Sequence, residues 1–176
     1  MTDSVPGASV HASAVKVGDR AVLIRGPSGS GKSRLAFDLI VCGRSGQVPP
    51  AILVGDDRVH LATVGEQLLV YPTPVLAGLI EVRGLGIRRC DFVGQAIVGL
   101  IVDLAATDTA RLPNSEALQT GILGVIIPRI PVASGYSPLP IVIAALTTTE
   151  SSPSVNLSVD CVKGISNHIR HTIAPE

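Results

Sequence analysis

The chain has 176 residues, the size of one domain, and its 14 basic and 14 acidic residues give a formal charge of zero. That balance leaves no electrostatic footprint for duplex nucleic acid or for an anionic membrane surface. Hydrophobic residues make up 46% but aromatics only 2% (Phe37, Tyr71, Phe92 and Tyr136, with no Trp), so the core is aliphatic and a base-stacking single-strand binder is excluded.

The first residues, Met1-Thr2-Asp3-Ser4-Val5-Pro6-Gly7, show neither a basic start nor an apolar stretch, so no signal peptide is expected. Residues 21–24 are a short apolar run of the kind expected for a strand buried on both faces. A Gly/Ser loop follows, and then Leu35, Ala36, Leu39 and Ile40 recur at helical spacing, a helix that should stop near Gly43. Residues 43–50, with two glycines and a Pro-Pro pair, read as a loop. A second buried strand is expected at 51–54, a hairpin around Gly65 at 59–70, and a strand at 96–104.

Pro113-Asn114-Ser115 is expected to start a short helix at 116–119, and residues 122–127 and 141–146 read as two more strands. The longest uncharged run, 130–149, is interrupted by Pro131, Pro138 and Pro140, so it reads as two strands and a loop, not a membrane span. After a polar connector at 147–153, Val159, Val162, Ile165, Ile169 and Ile173 trace a helical stripe. Cys42, Cys90 and Cys161 are odd in number, far apart and without C-x-x-C spacing, which fits reduced cytosolic thiols better than disulfides or a zinc site. The expectation is one soluble, cytoplasmic α/β domain over residues 1–176, with parallel strands next to the Gly/Ser loop and a mixed sheet.

Gly26-Pro27-Ser28-Gly29-Ser30-Gly31-Lys32-Ser33 fits the Walker A pattern G-x-x-x-x-G-K-[ST], between a buried strand and an amphipathic helix as that motif requires. Glycines let backbone N–H groups turn inward as an anion nest, and the helix adds its positive N-terminal end. In such a loop Lys32 reaches the β- and γ-phosphates of ATP, and the Ser33 hydroxyl ligates Mg²⁺. The third glycine of a dinucleotide fingerprint is missing, Arg34 standing there, so a Rossmann reading is rejected.

Asp56 and Asp57 follow the second buried strand, where a Walker-B acid belongs. One is a candidate to hold Mg²⁺ through water and the other to accept a hydroxyl proton. Gly55-Asp56-Asp57 is also good turn chemistry. Glu81 and Arg83 fall on one side of an extended segment just before Gly84-Leu85-Gly86, either a functional pair or a solvated ion pair. His11, ahead of the first strand, reads by itself as an ordinary exposed histidine, and His60, His168 and His171 have no assignable partners.

His11, the Walker A segment, Leu53-Val54-Gly55-Asp56-Asp57-Arg58-Val59 and above all Leu79-Ile80-Glu81-Val82-Arg83-Gly84-Leu85-Gly86-Ile87 together resemble the catalytic domain of bacterial HPr kinase/phosphorylase, in its short form without the N-terminal domain. The similarity is clear over residues 11–87 and suggestive from there to 146. The resemblance implies a P-loop fold of the HPr kinase/PEP carboxykinase-like type and ATP- and Mg²⁺-dependent phosphorylation of a seryl residue of the phosphocarrier protein HPr. It also implies reversal by phosphorolysis in many members, and a hexameric assembly. By position it implies Asp57 as general base, His11 as its support, Lys32 as phosphate ligand, Ser33 and Glu81 as Mg²⁺ ligands, and Arg83 in the signature segment.

The chain departs from longer members in a longer 43–50 loop, in Gly55 where alanine is usual, and in Tyr136-Ser137-Pro138 where a catalytic arginine is expected. Arg129 is the candidate to compensate. Two rival readings stay open on residues alone: a P-loop small-molecule kinase, and an ATP-binding regulatory module without transfer activity.

Overall fold

The computed structural model describes residues 7–149. The helical stripe expected at 159–173 therefore lies outside the described residues. The chain begins with β1 (Ala8–Val10), β2 (Ser13–Val17) and β3 (Arg20–Arg25). Strand β2 has no long apolar run and was not expected, yet Ala14, Val15 and Val17 are buried. The signal for it is Gly18-Asp19: Val17 pairs with Arg20, so these two residues are a hairpin loop, with Gly18 at φ +61°.

Helix α1 (Lys32–Arg44) follows, then β4 (Ala51–Gly55) and the hairpin β5 (Val59–Val64) and β6 (Gln67–Pro72), turning at Gly65 as expected. A second, two-stranded sheet is formed by β7 (Leu79–Val82) and β8 (Gly86–Arg89). The chain continues through β9 (Ala96–Leu104), β10 (Gln119–Ile122), β11 (Val125–Val132) and α2 (Pro138–Thr147).

The main sheet is mixed, as expected, and its strands run in the order β1-β5-β6-β9-β3-β2-β4. The parallel neighbour of β3 is β9, and β2 runs antiparallel between β3 and β4. The long strand β9 shares one edge between two partners: β6 takes its start at Ala96 and Ile97, and β11 runs parallel to 101–104. One core lies between the sheet and the helices, with Leu35, Leu39 and Ile40 of α1 packed on Val22, Ile24, Leu53 and Val102. The other face is covered by the sheet's own curl, where Leu61, Leu68 and Val70 meet Leu23, Val54 and Ile101. Full burial of each such aliphatic side chain stabilises the fold by about 1.5–3 kcal/mol.

Three expectations from the second half are corrected. Residues 122–127 are not one strand, because Leu123 (φ +49°) and Gly124 (φ +82°) make the left-handed pair of a two-residue hairpin turn joining β10 to β11. Residues 116–119 are not a helix: Asn114 Oδ1 accepts from the Ala117 N–H at 2.8 Å, closing a turn that leads into β10. Residues 141–146 are helical, not extended. Pro138 opens α2 at a position where its missing N–H costs nothing, and the Thr147 and Thr148 hydroxyls donate to the carbonyls of Ile143 and Ala144. Together with β11, which runs to Val132, this replaces the two strands and loop expected over 130–149.

Candidate active site

The phosphate loop joins the carboxyl end of β3 to α1, as the motif demands. Gly29 and Gly31 adopt φ of +77° and +95°, and a Cβ built on either would meet nothing within 4 Å, so the loop's inner surface is open backbone. Gly31 caps α1, whose first turn carries no acidic residue, leaving its positive end uncompensated. Ser30 Oγ is buried without a hydrogen-bond partner among the described residues. An open nest, a bare helix end and an orphaned hydroxyl together suit a polyphosphate. Lys32, only 6% exposed, curls back so that Nζ donates to the carbonyls of Gly26 and Pro27, each at 3.0 Å. Burial pulls its pKa below the ordinary lysine value, and the charges of Asp56 and Asp57 partly offset that.

The two adjacent aspartates have opposite environments. Asp56 is 3% exposed, and both its oxygens are engaged: Oδ1 accepts from the Ser13 hydroxyl at 2.5 Å and Oδ2 from the Glu81 N–H at 3.0 Å. Through both oxygens it ties β2, β4 and β7 together. Sequence could not reveal this, because its partners lie 43 and 25 residues away. Asp57 sits at the apex of a tight turn in which the Arg58 N–H donates to the Asp56 carbonyl at 2.7 Å. Its φ of +64° is a conformation aspartate tolerates better than most residues. The turn projects a side chain that is 70% exposed, and His11 Nε2 lies 3.2 Å from its Oδ1. His11, placed by the bend between β1 and β2, thus has a partner after all. Gly55 stands before this turn because a Cβ there would lie 2.9 Å from Val59 Cγ1.

Strand β7 packs against α1 through buried Ile80, and alternation turns Glu81 outward to the surface. Glu81 and Ser33 are therefore oxygen donors on neighbouring elements. Mg²⁺ needs only one or two protein oxygens beside phosphate and water, and this pair fits that demand. Among the described residues no group of three His, Cys, Asp or Glu side chains converges as a metal site. Arg83 is not on the extended segment with Glu81: β7 ends at Val82, and Arg83, Gly84 and Leu85 form the turn, closed by the Leu85 N–H on the Val82 carbonyl at 2.9 Å.

Arg129 is not available to replace the missing arginine. Its Nε donates to Asp103 Oδ2 at 2.5 Å, while Nη1 and Nη2 donate to the two oxygens of Asp108 at 2.5 and 3.0 Å. Asp103 also receives Arg25 side-on, at 2.6 and 2.7 Å. Burial pushes the Asp103 carboxyl up, but hydrogen bonds and charge from Arg25 and Arg129 outweigh it and hold it below the ordinary aspartate value.

The chain is similar to known proteins over most of its length. Residues 4–161 match the family model described as the HPr serine kinase C-terminal domain. The chain is 33% identical over 155 residues to HPr kinase/phosphorylase of Mycoplasma mycoides subsp. mycoides, covering 80% of this chain and 47% of that protein. It is 34% identical over 156 residues to HPr kinase/phosphorylase of Aromatoleum aromaticum, with coverage of 80% and 47%. The chain thus spans about half the length of these curated relatives. Among solved structures, the Hpr(Ser) kinase/phosphatase from Coxiella burnetii superposes with a TM-score of 0.63 at 28% identity, covering 79% of this chain and 93% of that one. With the phosphate loop, the Asp56-Asp57 turn and the Glu81 to Ile87 hairpin all falling inside the matched span, the chain belongs to the HPr serine kinase C-terminal domain family.

Proposed function

We propose that this domain transfers the γ-phosphoryl group of ATP to a seryl hydroxyl of the phosphocarrier protein HPr. The observation that carries the reading is Asp57, an exposed carboxylate paired with His11, whose charge acts on Lys32 of the phosphate loop. The backbone nest at Gly29 to Gly31 and the end of α1 bind the phosphates, and Lys32 exchanges its two loop carbonyls for phosphate oxygens. Asp57 accepts the serine proton as the serine oxygen attacks the γ-phosphorus, and the bond from that phosphorus to the bridging oxygen of ADP breaks. His11 orients Asp57 and does not itself reach the reacting atoms. Ser33 and Glu81 would hold Mg²⁺, which when bound neutralises charge on the phosphates.

The reading places forward transfer well ahead of phosphorolysis, because Arg129 is held by two carboxylates and Tyr136 stands where the family arginine is expected. No helix among the described residues is long and apolar enough to cross a membrane. A cytoplasmic setting and a hexameric assembly rest on the family likeness, the assembly being open to sedimentation. Incubation with ATP, Mg²⁺ and HPr from the same organism should yield phosphoserine. Absence of phosphoserine where a longer homologue succeeds would overturn the reading. ATP turnover that depends on an added metabolite mixture and not on HPr would point to a small-molecule acceptor, and ATP binding without turnover to a regulatory module.

A further inference from the structure

The charged group Arg25, Asp103, Arg129 and Asp108 lies at the same carboxyl end of the sheet as the phosphate loop, and the proposed transfer does not use it. Alternation puts Arg25, Asp103 and Arg129 on the face opposite α1, together with Leu23, Ile101 and Ile127. The Asp103 side chain is 15% exposed and that of Arg129 13%, so both charges are largely removed from water. A half-buried ion cluster is costly to desolvate and is a weak source of stability compared with apolar packing. Its location therefore calls for another reason.

The covalent path supplies one. Arg25 is the residue immediately before Gly26, the first residue of the phosphate loop, and it pairs in register with Asp103 of β9. The residue after Asp103 is Leu104. A Cβ on Gly26 would lie 2.9 Å from the Leu104 carbonyl oxygen, 3.0 Å from Leu104 Cβ and 2.7 Å from Ser30 Oγ. The start of the loop, its buried serine and the end of β9 are thus in close contact. On its other side Asp103 holds Arg129, whose Nη1 also donates to the Ala117 carbonyl at 3.1 Å, fixing the segment between β9 and β10.

We propose that Asp103 is a positioning residue for the phosphate loop. Bridging Arg25 and Arg129, it fixes the end of β9 against the end of β3 and so sets the seat of Gly26 and Ser30. The inference rests on the nucleotide-binding reading above, and it adds a residue that acts on the phosphates only through the loop. A planar, two-pronged arginine contact restrains both distance and orientation, which a backbone ladder ending at these residues does not do alone.

The test measures the dissociation constant of a fluorescent ATP analogue, with unfolding monitored in parallel. Lys32→Ala serves as the control for the reading itself: if the parent protein does not bind, or Lys32→Ala binds as tightly as the parent, both the reading and this inference fall. If it binds and Lys32→Ala does not, Asp103→Asn is expected to weaken binding by about five- to thirtyfold while the protein remains folded. Should that variant fail to fold, Arg25→Met with Asp103→Leu removes both charges and keeps apolar volume, a replacement that buried ion pairs commonly tolerate. It should fold and show the same loss. A change below about twofold in a folded variant overturns the proposal. Asp108→Asn, which loosens Arg129 but leaves the contact between Arg25 and Asp103 in place, should keep its affinity within about twofold. An equal loss there would assign the effect to general loosening and overturn the proposal as well.

Discussion

Two clusters of opposite charges flank the phosphate loop, and they are balanced in different ways. On one side Lys32, Asp57 and His11 lie near one another, with Asp57 exposed and its second oxygen without a hydrogen bond or ion pair among the described residues. On the other, Arg25, Asp103, Arg129 and Asp108 alternate in sign and nearly every polar atom is engaged. A group that must exchange partners during a reaction keeps hydrogen-bonding capacity unspent, whereas a group that holds strands in place is satisfied within the protein. Asp56 and Asp57 repeat the contrast within two residues.

The comparison breaks most visibly if the exposed cluster carries no chemistry. Asp57→Asn should lower the rate of phosphoserine formation by about 10²- to 10⁴-fold, measured in single turnover at saturating ATP. Its unfolding free energy should stay within about 0.5 kcal/mol of the parent, as for surface substitutions in general. An unchanged rate would remove Asp57 from its role. Arg129→Met should do the reverse. It leaves Asp103 short of one partner, and we expect a loss of about 2–3 kcal/mol in denaturant unfolding, at the low end for a disrupted pair because the site retains some solvent. Equal stability would show that the second cluster holds nothing together.

The first cluster was far more legible in sequence than the second, for a physical reason. A phosphate nest needs glycines, a lysine and a hydroxyl in consecutive positions, so Gly26 to Ser33 carries its chemistry locally. Asp103 and Arg129 are 26 residues apart and Arg25 is 78 from Asp103, so only the pairing of β3, β9 and β11 brings them together. The same limit hid Ser13 from Asp56. His11 had no local signal either; its place came from family likeness, and its partner emerged only with the turn at Asp57. The misread elements failed for another reason. Residues 141–146 are apolar enough for either helix or strand, and the decisive mark was Pro138 at the helix start. In 122–127 the backbone signs of Leu123 and Gly124 decided, and leucine gives no warning of a positive φ.

A smaller effect sharpens the role given to His11. His11→Gln keeps a polar group near Asp57 but removes the imidazole, and phosphoserine formation should fall about tenfold. Because His11 is exposed and fills no core position, its stability should match the parent. A loss as large as that of Asp57→Asn would make His11 a proton carrier and not a support.

The weakest expected effect tests the second cluster by pH. Asp103 titrates below its ordinary value in the folded protein because two arginines hold its charged form. A carboxylate depressed in this way contributes stability that is complete above its unfolded pKa, about 4, and that is lost as pH falls through the lower native value. Asp108 is lowered as well, by its hydrogen bonds from Arg129, so the same window applies to it. The parent should therefore lose unfolding free energy as pH falls below about 5, and Arg25→Met with Asp103→Leu should lose less, since the Asp103 carboxylate is gone. If the double variant lost as much unfolding free energy over this range as the parent, the Asp103 carboxylate would not be what stabilises the folded state, and the second cluster would lose its role in holding the strands together.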